Sequence, residues 1–209
     1  MILLLLACAT LSSDAPSGAE PQADRAEAAV SEPVPVAAAA DVPKTEEPVT
    51  STELLSPHFS ADQIREAMPV GTTLVFRTSK IDTLADGSGI MGMETQDMQW
   101  EVLAADAAQV TIRYAMLERE GDPNERTHTW SELATHSQFP AQMTKREDSV
   151  SVTVPAGTFQ CTRYTVREQG GEVSVYDFAQ NMAGPPIQMV QTVSGQERMR
   201  MSLVRRAIP

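Results

Sequence analysis

Cysteine, aromatic side chains, positive charge and long apolar runs are all scarce in this chain. Two cysteines in 209 residues exclude a disulfide-stapled scaffold and a four-cysteine zinc site. Sixteen Lys and Arg stand against 28 Asp and Glu, a net charge of −12, which leaves no basic stripe for nucleic acid. No apolar run approaches the ~20 residues that cross a bilayer as a helix. Chemical motifs are absent too: there is no Gly-x-Ser-x-Gly elbow, no phosphate loop and no dinucleotide fingerprint. His58, His128 and His136 show no zinc-ligand spacing on a helix. The expectation is a protein that is not an enzyme, with no metal and no cofactor.

The few aromatics are also unevenly placed. All five Phe, both Trp and all three Tyr lie at or after Phe59. Residues 9–57 hold none, but carry seven of the fourteen prolines, eleven alanines, nine acids and two bases, a charge of −7. A stretch so poor in large apolar side chains cannot offset the entropy of ordering itself. Pro33, Pro35, Pro43 and Pro48 also interrupt helix and sheet ladders. The expectation is a solvated tether whose ~49 residues give a root-mean-square reach of roughly 40 Å.

Before the tether stands Met1-Ile2-Leu3-Leu4-Leu5-Leu6-Ala7-Cys8. Leu5, Leu6, Ala7 and Cys8 resemble the lipobox of bacterial lipoproteins. The resemblance implies a signal that is removed and a cysteine that becomes the acylated first residue, anchoring through more than one chain. A start codon assigned too far downstream accounts for the missing basic residues and the short apolar run. Ala9-Thr10 follow the cysteine with no Asp, which points to the outer membrane, with the protein facing the periplasm. Residues 1–7 thus read as a signal remnant, 8–57 as lipidated cysteine and tether, and 58–209 as a β-rich domain.

Within 58–209 a helix signal comes first. Ser60 and Gln63 have capping-box spacing, Ile64 and Met68 share a face, and Pro69 stops the helix. The apolar period then becomes two: Leu74, Phe76 and Thr78; Met98, Trp100 and Val102; Val110, Ile112, Tyr114 and Met116; Val150, Val152 and Val154; Thr162, Tyr164 and Val166. Met91 and Met93 have the opposite parity to Met98, which predicts a bulge near Glu94 to Asp97. Asp86-Gly-Ser-Gly89, Pro155-Ala-Gly157, Gly170-Gly171 and Ser194-Gly195 supply turns. Strands joined by short turns are antiparallel neighbours. The fold class is mostly β: a strongly curved antiparallel sheet of eight or nine strands, a half-barrel or open barrel, with one face covered and one or two short helices.

The segment Val154-Pro-Ala-Gly-Thr-Phe-Gln-Cys161-Thr-Arg-Tyr164, preceded by Thr129-Trp130-Ser-Glu-Leu133 and His136-Ser-Gln-Phe-Pro140 and followed by Gly184-Pro185-Pro186-Ile187, resembles an uncharacterised group of bacterial lipoproteins. These matches span about residues 127–204. The group is similar to the half-barrels of periplasmic lipoprotein carriers, and the resemblance implies a sheet enclosing a helix and an apolar cavity.

Methionine is the outstanding abundance, with ten of eleven in the domain. Met91 with Met93, and Met199 with Met201, each share a strand face. One reading is ordinary gap-filling in the core; the sharper one is a deformable lining for an acyl chain. On the sharper reading Met91, Met93, Trp100, Tyr114, Met116, Met199 and Met201 bind an apolar small molecule or lipid. Cys161, with no Lys or His beside it in sequence, reads as a buried inert thiol. The partners expected are the membrane, through Cys8, an apolar ligand or an envelope protein, and no nucleic acid. The alternative function is a protein-interaction or structural module of the envelope.

Overall fold

Strand pairing joins the two ends of the folded region. In the computed structural model, which describes residues 53–83, 90–118, 121–168 and 170–209, β1 (Thr73–Thr83) pairs with both β2 (Ile90–Ala105) and β9 (Gln196–Ala207). Between these lie β3 (Gln109–Met116), β4 (Asn124–Thr129), β5 (Thr144–Val154), β6 (Gly157–Arg167), β7 (Glu172–Ala179) and β8 (Gln188–Val193). All pairings are antiparallel, and the nine strands form one open sheet in the order β4-β3-β2-β1-β9-β8-β7-β6-β5. Two meanders, β1–β4 and β5–β9, therefore meet at β1–β9. The expected Cys8, the tether and the Asp86–Gly89 turn lie outside the described residues, apart from the tether's last residues, 53–57.

Local chemistry sets the ends of the elements. In α1 (Ala61–Ala67) the Ser60 hydroxyl accepts from the Gln63 N–H, and the Gln63 side chain accepts from the Ser60 N–H. The same reciprocal box, Thr129 with Glu132, opens α2 (Trp130–Thr135). At the β2–β3 turn the Asp106 carboxylate accepts from the N–H groups of Ala108 and Gln109, at 2.7 and 2.8 Å. These bonds hold its pKa below the usual carboxylate range. Ser194 and Gly195 both adopt positive φ, 51° and 77°, the conformation a two-residue hairpin loop demands.

The covered face of the sheet carries Leu74, Phe76, Val102, Ile112, Tyr164, Tyr176, Met201 and Leu203, packed with Ile64 of α1, Trp130 and Ala134 of α2, and Phe139. The Phe139 ring lies 5.2, 4.8 and 6.4 Å from those of Tyr164, Tyr176 and Phe178. The chain enters this core ahead of His58: Leu55 N–H donates to the Phe139 carbonyl and Ala141 N–H to that of Glu53.

One sequence expectation fails here in an instructive way. Asp177, Phe178 and Ala179 are consecutive on β7 and all buried, as are Cys161 and Thr162 on β6. Successive strand residues point to opposite faces, so this end of the sheet is covered on both sides. Asp177 is held there by a bidentate bond from Arg163 on the neighbouring strand, at 2.7 and 3.0 Å.

Candidate functional site

The expected methionine face is split by register. Trp100, Tyr114, Met116, Met199 and Met201 do lie on the covered face, through the cross-strand partners Leu74↔Trp100, Trp100↔Tyr114, Met98↔Met116 and Thr78↔Met201. Met201 is buried, Trp100, Tyr114 and Met199 pack against the core, and Met116 is exposed at the sheet's margin. Met91 and Met93 do not join them. Pairing runs unbroken from Leu74↔Trp100 to Ile81↔Met93, so no bulge occurs between Glu94 and Asp97. The irregularity falls instead at Asp82/Thr83. Period two then puts Met93 on the face opposite Met98 and Trp100. The reason is visible in the side chains: Arg77 with Asp97 and Ser79 with Thr95 pair across the strands on that same outer face, which fixes the register.

Met91 and Met93 are each 69% exposed. Met93 stands on the uncovered outer face, on a stretch where β1 has parted from β9 and β2 has outrun β3. β9 accompanies β1 only as far as Lys80↔Met199, and β3 accompanies β2 only to Met98↔Met116, with one further bond from Leu117 N–H to the Asp97 carbonyl at 2.9 Å. Beyond these points residues 81–83 and 90–96 form a two-stranded arm. Where β3 leaves β2, a hollow of about 220 Å³ opens, lined by Glu94, Thr95, Gln96, Asp97, Met116 and Glu118. The bidentate Arg77 guanidinium holds the Asp97 carboxyl below its ordinary pKa. The Gln96 amide donates to Glu94.

A second hollow, about 320 Å³, is lined by Leu55, Ser56, Pro57, His58, Arg146 and Tyr164. His58 Nδ1 lies 3.2 Å from the Tyr164 hydroxyl, its ring packs on Phe59 and Phe178, and its buried Nε2 has no partner. Burial, reinforced by the nearby Arg146 charge, lowers its pKa despite Asp148. This imidazole is held neutral among aromatics. The first hollow is lined mainly by charged and polar groups, whereas the second mixes Leu55, Pro57 and Tyr164 with Ser56, His58 and Arg146.

The remaining chemical groups are occupied structurally. His128 Nε2 lies 3.3 Å from the Tyr114 hydroxyl, while the Glu132 carboxylate caps α2. His136 is the C-cap of that helix. Among the described residues no three His, Cys, Asp or Glu side chains converge as metal ligands. Cys161 is fully buried, and burial pushes its thiol up to about 11, away from reactive thiolate. Sequence reasoning missed the arm and its acidic hollow. The exposed parity of Met91 and Met93 was visible, but the ends of β3 and β9 were not.

No protein-family model matches this chain, and neither does any curated protein. Among solved structures, it is similar to a candidate lipoprotein from Parabacteroides distasonis ATCC 8503, at 12% identity and a TM-score of 0.43, over 73% of this chain and 99% of that one. It is also similar to MucB in complex with the periplasmic part of MucA, at 18% identity and a TM-score of 0.43, over 71% of this chain and 55% of that one. MucB crystallised alone gives 16% and 0.41, with 58% of MucB covered. The chain thus spans just over half of MucB. These likenesses are distant and transfer no function.

Proposed function

We propose that this chain is a non-catalytic protein-interaction module of the bacterial envelope, held there by an acylated Cys8. The supporting observation is the exposure of Met91 and Met93 on an arm that outruns the sheet. Large apolar side chains gain by leaving water, and methionine is favoured on surfaces that adapt to a partner. The apolar-carrier reading draws less support. Phe76, Ile112, Phe139, Tyr164 and Leu203 are almost wholly buried in the core; of the two hollows described, the first is lined mainly by charged and polar groups and the second mixes Leu55, Pro57 and Tyr164 with Ser56, His58 and Arg146.

The test is site-specific photo-crosslinking in intact cells. A crosslinker at Met93 is expected to give a discrete adduct, lost in a Met91→Ser variant, while one at exposed Gln160 gives none. Native mass spectrometry of the full chain provides the contrary outcome. A bound lipid mass that disappears on denaturation, with equal crosslinking at both sites, favours the carrier.

A further inference from the structure

We infer that residues 53–58 form an acid-released strap: protonation of His58 frees them from the domain and opens the second hollow onto the aromatic cluster beneath. The device is separate from the arm and does not depend on the interaction reading. The strap is lightly held. Leu55 N–H donates to the Phe139 carbonyl and Ala141 N–H to that of Glu53, both at 2.8 Å, with Leu54 facing Pro140 in an isolated bridge. Pro57 has no N–H to extend this ladder. Glu53, Leu54 and Ser56 are exposed, so the strap gains little from apolar burial. Two further ties come from His58. Its N–H donates to Ser137 Oγ at 2.9 Å, and its Nδ1 lies 3.2 Å from the Tyr164 hydroxyl.

The imidazole is seated where a charge finds no partner. Its centroid lies 4.2, 5.7 and 5.2 Å from the rings of Phe59, Tyr164 and Phe178, and its buried Nε2 meets no hydrogen-bonding group. A neutral ring needs only the Tyr164 contact, as donor or acceptor according to its tautomer. An imidazolium carries two N–H donors, and the second would be buried with no acceptor, a costly place for charge. The charged groups that reach the ring are Arg146 and Asp148, both on β5. Tyr164 on β6 is the titratable neighbour; β7 supplies the uncharged Phe178, and the chain between α2 and β5 the Ser137 hydroxyl. Asp148 is already engaged, since its Oδ1 accepts from Arg146 Nε and Nη2 at 3.1 and 3.0 Å and from the Thr162 hydroxyl at 3.2 Å. Burial and the Arg146 cation together outweigh its attraction for an imidazolium.

The sign of the pH effect follows. A freed ring titrates near 6.5 and the seated ring lower. The released form therefore binds more protons, and the strap's hold weakens as pH falls below about 6.5 toward the seated value. Leu55, Ser56, Pro57 and His58 make up most of the second hollow's lining. When they lift, the rings of Phe139, Tyr164 and Phe178 lose their cover. Phe59, at 7% exposure, stays in the core and confines the opening to the strap.

Hydrogen exchange of the full chain at pH 7 and pH 5, corrected for the intrinsic pH dependence of exchange, tests the strap. The Leu55 and Ala141 amides are expected to lose protection at pH 5 while the amides of β1 and β9 keep theirs. His58→Gln, which takes up no proton, is expected to show the same protection at both pH values. Asp148→Asn removes the attraction for an imidazolium and is expected to deepen the loss, whereas Arg146→Gln removes the repulsion and lessens it. A dye that fluoresces on apolar surface is expected to bind the wild type at pH 5 and not His58→Gln. Unchanged protection at Leu55 and Ala141 overturns the inference, as does a loss that persists in His58→Gln. A loss shared equally by β1 and β9 also overturns it, because the whole domain is then unfolding.

Discussion

The two meanders share one sheet but treat their side chains in opposite ways. In β5–β9 the strands are buried on both faces where β6 and β7 run together, to the point that Asp177 is entirely out of water and needs Arg163 to stay there. In β1–β4 the longest pair, β1 and β2, parts from β9 on one side and runs past β3 on the other, and two methionines stand in solvent there. Both halves use period-two apolar alternation. What separates them is whether the neighbouring strand and loop extend far enough to cover a given residue. A half covered on both faces is thereby joined to a half that leaves large apolar side chains exposed.

The comparison can be broken most forcefully in the covered half. Arg163→Ala strands a fully buried carboxylate, and denaturant unfolding should show a loss of about 3–5 kcal/mol. Asp177→Ala should cost less, because the Arg163 side chain is already 31% exposed and can turn to water. Equal costs would mean that the pair is less buried than its geometry states. Phe139→Ala removes a ring packed between Tyr164 and Tyr176, and should cost about 3–5 kcal/mol. A smaller intervention is Thr129→Ala, which deletes the cap of α2, at about 1 kcal/mol.

Two milder tests sharpen the contrast. His58 and His128 are both held below the free value of 6.5, chiefly by burial. The unfolded chain therefore takes up more protons than the fold as pH falls through about 6.5, and stability must decline from pH 7 toward 5. A His58→Gln, His128→Gln double variant should reduce that slope, leaving the share of His136, which burial also holds low. The carboxylates held low, Asp97, Asp106 and Glu132, have ordinary values of 3.8, 3.8 and 4.5, so their losses come at lower pH. In the open half, Met91→Ser with Met93→Ser should move the melting free energy by no more than about 0.5 kcal/mol while removing the crosslink. A large destabilisation there would mean that the methionines serve the fold rather than a partner.

Much of this was legible in local sequence. The Ser60–Gln63 box, the Ser194-Gly195 loop and the alternation of Val110, Ile112 and Tyr114 each depend on residues a few positions apart, and each formed as expected. The burial of Cys161 was also foreseeable, since nothing beside it in sequence activates a thiol. The bulge expected near Glu94 to Asp97 was inferred from the opposite parity of Met93 and Met98. It failed because Arg77–Asp97 and Ser79–Thr95, pairs between different strands, hold the register straight.

The sequence alone determined the mostly-β class, the turns, the helix caps and which residues of each strand share a face, because these follow from backbone geometry over a few residues. Only the tertiary structure decided that β1 meets β9, that both faces of β6 and β7 are covered, and that β3 stops short of Met93. Those outcomes depend on where strands distant in sequence begin and end beside one another. Period two tells which side chains look the same way, but not whether anything stands in front of them.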